Sequence, residues 1–74
     1  MKPVLKTVNP ATLNFAQAVL KEADIQHFVM DQNVSLLEGS IGIIPRRLMV
    51  IDDDHAAAIS ALELAGMGDD VFRD

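Results

Sequence analysis

Two helix starts, each directly after a stretch of strand-forming residues, constrain the fold of this 74-residue chain most strongly. Residues 3–8 are typical of a first strand. Asn9 can then cap free backbone amides, and Pro10 suits the first helical position, where its missing N–H costs nothing. Residues 46–51 are typical of a later strand, and the aspartates at 52–54 favour the positive end of a second helix. The order strand then helix therefore occurs twice.

Apolar spacing predicts how far both helices run. The first helix has an apolar stripe that comprises Leu13, Ala16, Leu20 and Ala23. Phe15 and Val19 widen this stripe. In the second helix it comprises Ala56, Ile59, Leu62 and Ala65, with Ala58 and Ala61 beside it. Gly66 is well placed to end the second helix, whereas Asp24 stands where glycine usually ends the first.

A further strand is predicted at 25–30, where a short apolar run carries a β-branched residue at each of two positions. A strand, a crossover helix and a second strand form a right-handed βαβ unit with parallel strands. We therefore predict an α+β, ferredoxin-like βαββα fold, with two helices on one face of an antiparallel sheet. Residues 71–73 form a short fourth strand or a loose tail. The alternative is an open βαββα sheet whose tail pairs with a neighbouring chain.

The length predicts a single domain over 1–74, with 1–66 as its core and 67–74 as a C-terminal tail or short strand. The absence of cysteine excludes disulfides and thiolate metal sites. Half of the residues are hydrophobic, yet only three are aromatic, all phenylalanine, so the core should be aliphatic. So many apolar residues in so short a chain indicate that some lie at an interface with another copy or a partner.

A net charge of −5 disfavours binding to phosphate backbones, so no nucleic-acid partner is expected. The central strands also lack the aromatic residues on which RNA-binding domains stack bases. No apolar run approaches the length of a membrane span, and the first residues lack the apolar stretch of a signal peptide. We therefore expect a cytoplasmic protein.

The sheet face opposite the helices should be polar if the monomer is complete. Consecutive apolar residues in the strands predict apolar side chains on both faces. Leaving Val29, Met49 and Ile51 in water would forgo about 1.5–3 kcal/mol of burial each. This predicts a homo-oligomer that uses the open face. The alternative is that the long connection between the second and third strands folds over it.

That connection is the most informative segment, because a hairpin needs only about two to five residues and this one is far longer. It is too hydrophobic for disorder, so it should be ordered against another surface. The interaction residues predicted here are Asp31, Gln32, Leu36, Leu37, Glu38, Gly39, Gly42, Pro45, Arg46 and Arg47.

The same segment holds a weak candidate anion site. Backbone amides between Gly39 and Gly42, beside the guanidiniums of Arg46 and Arg47, could receive a small anion. The spacing matches neither nucleotide-binding glycine motif. The alternative is that the glycines make turns and the arginines pair with surface carboxylates.

The pattern Asp31-Gln32, Leu37-Glu38-Gly39, Gly42, Pro45-Arg46-Arg47 and Val50, then Asp52-Asp53, resembles a small bacterial family described as putative prokaryotic signal-transducing proteins. Glu22-Ala23-Asp24-Ile25 fits as well, although the family usually has glycine where Asp24 stands. The resemblance implies a ferredoxin-like fold distantly related to the nitrogen-regulatory PII proteins. PII proteins are trimers that bind nucleotides and partner proteins through a long loop between the second and third strands. The PII nucleotide-binding motif is not found here, so the resemblance does not extend to nucleotide binding.

Catalytic and metal-binding patterns are weak. The aspartates at 52–54 with His55 are better explained by helix capping and the helix dipole than by a metal. His27 and His55 lack the spacing of zinc ligands, and no serine lies in a nucleophile motif. We therefore predict no cofactor and a non-enzymatic regulatory module that binds a partner protein through the 31–47 segment and the open sheet face. The alternatives are a sensor for a small anionic ligand such as a nucleotide or phosphate, and an enzyme with its site at a subunit boundary.

Overall fold

The computed structural model describes residues 1–31 and 45–72. Its elements, in chain order, are β1 (Lys2–Thr7), α1 (Pro10–Glu22), β2 (Phe28–Asp31), β3 (Arg46–Val50), a 3₁₀ turn (Asp52–Asp54) and α2 (His55–Leu64). The predicted α+β class and the order βαββα are confirmed.

The sheet has the order β1-β3-β2, and both neighbouring pairs are antiparallel. β1 and β2 therefore run in the same direction with β3 inserted between them, which is the split βαβ arrangement. The chain returns to the outer edge of β1 near its end. There Val71 forms a single antiparallel bridge with Leu5, and the Phe72 amide donates to the Val4 carbonyl at 2.7 Å.

The start of α1 follows from local side-chain chemistry. The Asn9 side chain accepts a hydrogen bond from the Ala11 amide at 2.9 Å, and Thr7 Oγ1 accepts one from the Asn9 amide at 3.1 Å. Pro10 occupies the first turn. These contacts satisfy amides that have no partner inside the helix.

Both helices end in the same hydrogen-bonded motif. At the end of α1, Asp24 has φ 60°, and the Ile25 amide donates to the Leu20 carbonyl at 2.9 Å. At the end of α2, Gly66 has φ 86°, and the Met67 amide donates to the Leu62 carbonyl at 2.9 Å. This left-handed geometry favours glycine, which explains why glycine is usual at the position of Asp24.

β2 begins three residues later than predicted. The Ile25 amide is used by the cap of α1, and the half-buried Ile25 side chain packs against the core. His27 Nδ1 then donates to the Ile25 carbonyl at 3.0 Å, which turns the chain before the sheet. The first apolar residue of the predicted strand therefore belongs to the helix terminus.

Among the described residues, the core between the helices and the sheet contains no aromatic side chain, as predicted. It comprises Val4, Leu5, Leu13, Ala16, Leu20, Leu48, Val50, Ala58, Leu62 and Met67. Val4 and Leu5 are consecutive yet both fully buried, because the register between β1 and β3 shifts at this point. Such a bulge re-aims a side chain that strict alternation would send to the opposite face.

The two helix ends generate a paired stability prediction. Replacing Asp24 by glycine should raise the free energy of unfolding by about 0.5–1 kcal/mol, because glycine adopts positive φ without a Cβ clash. Gly66→Ala should lower it by about 1 kcal/mol for the opposite reason. A Cβ at position 66 would meet no atom within 4 Å, so this loss is conformational rather than steric. Urea denaturation monitored by circular dichroism measures both changes.

Asp24→Asn is the matched control, since asparagine tolerates the left-handed region and should leave stability within a few tenths of a kcal/mol. An Asp24→Gly variant no more stable than Asp24→Asn would contradict the assigned cap geometry.

Candidate interaction surface

The strand register divides the sheet residues between two faces. Residues directly opposite each other in an antiparallel pair share a face, and neighbours along a strand alternate. We define the open sheet face as Pro3, Lys6, Phe28, Met30, Arg47 and Met49, which the register places together. The opposite face carries Leu48 and Val50, which join the core with both helices. Of the described elements, both helices therefore pack on the face opposite the open one.

The centre of the open sheet face is apolar. Phe28 lies opposite Met49 across the β2–β3 pair, and Met30 follows two positions along. Phe28 and Met30 are 41% and 45% exposed, whereas Met49 is buried. Two long apolar side chains thus remain accessible on a face that no described helix covers.

The expected composition of this face was wrong for β2, because Val29 was assigned to it in place of Phe28 and Met30. Val29 lies opposite Leu48 and so belongs to the helix-side face, not beside Met49. Val29 is nonetheless exposed, because β2 is an edge strand and the helices pack mainly on β1 and β3. Ile51 follows β3 and is exposed, as expected.

Basic residues border the apolar centre. Lys6 of β1 lies directly opposite Arg47 of β3, and both are exposed. Lys6 was missed by sequence reasoning, since no local pattern links it to a residue on β3. Arg46 lies opposite Thr7 on the other face, so the two arginines leave the sheet in opposite directions. Strand geometry therefore separates the two guanidiniums of the predicted anion site.

Four of the predicted interaction residues lie within the described part of the chain. Asp31 ends β2, where its backbone lies opposite that of Arg46, Pro45 immediately precedes β3, and Arg47 lies on the open sheet face. The predicted site residues outside the described residues are Gln32, Leu36, Leu37, Glu38, Gly39 and Gly42. Both ends of the 31–47 segment thus meet at neighbouring positions of one strand pair.

A second apolar surface lies between the helices and was not predicted as a site. A groove of about 530 Å³ there is lined by Phe15, Val19, Ala61, Leu64 and other residues of α1 and α2. Phe15 and Leu64 are 51% and 90% exposed. The prediction that Phe15 widens the buried stripe of α1 was therefore wrong. The sequence of α2 did indicate this second apolar surface. The helix is apolar nearly all round, which leaves some of its apolar side chains without core contacts. Ala56, assigned to the buried stripe, is exposed.

Asp52 and the two histidines have backbone partners. His55 Nε2 donates to the Pro3 carbonyl at 3.3 Å, and His27 bonds the chain before β2. Asp52 Oδ1 accepts from the Met1 ammonium at 2.9 Å. Within 1–31 and 45–72, no three acidic, histidine or cysteine residues cluster as a metal site would need. No helix in the same ranges is both long and apolar enough to cross a bilayer.

The fold and the open sheet face define a small α+β domain whose described helices cover one side of its sheet. The chain belongs to the family described as "putative prokaryotic signal transducing protein", whose model matches residues 1–66. The family membership inferred from sequence is confirmed, and the relation to PII proteins stays a prediction. The family description names signal transduction and no reaction. No curated protein matches the chain.

The contact between Asp52 and the chain terminus generates a pH prediction. The hydrogen bond and positive charge of the Met1 ammonium lower the pKa of Asp52 below its ordinary value. A carboxyl with a lowered pKa in the folded state stabilises it above the unfolded pKa, and this contribution disappears as pH falls through the folded pKa. Both groups are solvent-exposed, so the effect on stability is small. An NMR titration of the Asp52 side-chain carbon should give a midpoint below that of an unstructured aspartate.

Acetylating the N-terminus is the control, because it removes the ammonium and should raise the Asp52 midpoint. A midpoint that acetylation leaves unchanged would show that another group lowers the pKa.

Proposed function

We propose that the chain is a non-enzymatic regulatory module that binds a partner protein through the open sheet face and the 31–47 segment. The observation that carries this proposal is the exposure of Phe28 and Met30 on a face free of described helices. Membership of a signal-transducing family agrees with it.

The exposed side chains supply a driving force for binding. Fully burying a side chain such as Phe or Met is worth about 1.5–3 kcal/mol. Phe28 and Met30 keep nearly half of their surfaces in water, so covering both would contribute about 2 kcal/mol. Aromatic anchors in the centre of a contact often carry a large share of binding energy. Phe28 suits that role because it faces the buried Met49.

The 31–47 segment is continuous with this face at both ends. β2 leads into the segment through Met30 and Asp31, and the segment leads into β3 through Arg46 and Arg47. A partner seated on the open sheet face would therefore lie next to both ends of the segment that carries most of the predicted interaction residues. This continuity supports one binding surface rather than two.

A sensor for a small anion is the alternative function. Its proposed receptor joins Arg46 and Arg47 with the backbone at 39–42, but the two arginines lie on opposite faces of β3. This geometry favours the partner-binding proposal over the sensor.

The open sheet face also suits a second copy of the chain, and we propose that the protein forms a homo-oligomer in which the second copy and a partner compete for this face. We expect light scattering coupled to size-exclusion chromatography at micromolar concentration to give a multiple of 8.0 kDa. Phe28→Asp should return the mass to that of the monomer, because a carboxylate would be buried in the contact. The matched control Leu64→Asp places the same charge on the helix groove and should leave the mass unchanged. A wild-type protein that elutes as a monomer would refute self-association.

The partner-binding proposal is tested by a capture comparison in the organism's own extract. Wild-type protein should recover a reproducible set of proteins that the double variant Phe28→Asp, Met30→Asp does not recover. The variant Leu36→Asp, Leu37→Asp tests the 31–47 segment in the same way. Phe28 and Met30 are exposed strand positions, so their substitution should keep the fold, which circular dichroism verifies.

The matched control is Phe15→Asp with Leu64→Asp, which adds the same charges to the groove between the helices. If this control loses the same proteins and the open-face variant retains them, the helix groove rather than the sheet is the binding surface.

A further inference from the structure

We infer that the open sheet face takes an acidic, apolar segment of a partner protein, with a carboxylate on Lys6 and Arg47 and apolar side chains on Phe28 and Met30. The inference rests on the proposed function and adds the chemistry of the partner to it. It depends on the juxtaposition of two cations with an exposed apolar pair on one face.

Lys6 and Arg47 form an unfavourable pair within the described sheet. They lie directly opposite each other on neighbouring strands, where Cβ atoms are about 4.5–5.5 Å apart and like charges destabilise the sheet. In the described part of the chain, neither is within ion-pair distance of a carboxylate. A carboxylate from a partner would accept hydrogen bonds from both cations and relieve their repulsion.

The exposed apolar residues lie beside the cations on the same face of the sheet. Met30 is directly opposite Arg47 on the other side of β3, and Phe28 is two positions along β2. Side chains on one face of an extended segment repeat every two residues, about 7 Å. A partner segment with an acidic residue and an apolar residue two positions apart would therefore place each on its matching side chain.

The charge of the whole chain repels a free anion and an acidic segment alike, so apolar contact decides between them. The protein carries six basic and eleven acidic residues, and Lys2, Lys6, Arg46 and Arg47 all lie on β1 and β3. The net charge repels a free multivalent anion at long range. A segment that also covers Phe28 and Met30 gains apolar contact that a free anion cannot make. The geometry thus favours a protein segment over a small carboxylate.

The test uses two short blocked peptides as probes. One has a glutamate two positions before and two positions after a central phenylalanine, with neutral polar residues between them, and the other has lysine in place of each glutamate. In ¹⁵N-resolved NMR titrations, the acidic peptide should shift the amides of Lys6, Met30 and Arg47 and bind at least about tenfold more tightly than the basic one. Its affinity should fall as salt is raised, because exposed charges are screened. Equal binding of the two peptides, or shifts confined to the helix groove, would overturn the inference.

Lys6→Glu is the decisive variant, because a merely structural role predicts the opposite result. The new carboxylate would face Arg47, so the variant should melt at the same temperature as wild type or higher, yet bind the acidic peptide about tenfold more weakly. The matched control Lys21→Glu makes the same charge change on α1 and should bind as wild type does. Unchanged binding by Lys6→Glu would overturn the inference.

Citrate is the third probe and distinguishes a free carboxylate from a segment. If citrate saturates the protein at or below the concentration at which the acidic peptide does, the two cations bind a small anion and the inference is overturned. If the acidic peptide does not bind, the capture experiment still tests the proposed function, because capture does not depend on the partner's charge. Loss of capture by Phe28→Asp, Met30→Asp together with a failed peptide would mean that the surface is right and its assigned partner chemistry wrong.

Discussion

β3 is the element on which the rest of the structure depends, because it alone among the described strands is paired on both sides within the sheet. Alternation along it sends Leu48 and Val50 into the core with both helices. The same alternation sends Arg47 and Met49 to the open sheet face. Core and candidate surface are therefore interleaved residue by residue on one strand.

This interleaving makes the surface rigid without dedicated support. Lys6, Phe28 and Arg47 stand on strands whose backbones are fixed by ladder hydrogen bonds and whose alternate side chains are buried. Binding groups held on such elements lose little freedom when a partner arrives. The same coupling means that a substitution at Leu48 would disturb the surface without touching it. Only substitutions at exposed positions can separate binding from folding.

The helices and their ends could be predicted from sequence because they depend on local chemistry. Asn9, Pro10 and Gly66 each act on backbone groups within a few residues, and the exposed cap at Asp24 follows the same rule. The sheet faces could not be predicted as well, because a shift of one residue in register exchanges them. Residues 48–51 are all apolar and give no alternation from which to choose, so Val29 was paired with the wrong neighbours.

The candidate surface was predictable only where it is continuous in sequence. Arg47 could be found because it ends a segment with unusual length and composition, whereas Lys6 reaches the site from β1 through long-range pairing. That pairing sets two like charges opposite each other in a chain whose acidic residues are in excess. Local rules of sheet stability disfavour such a pair, and proteins break those rules chiefly at functional sites. The proposed binding of a carboxylate therefore accounts for a cationic pair that the folding of the sheet does not require.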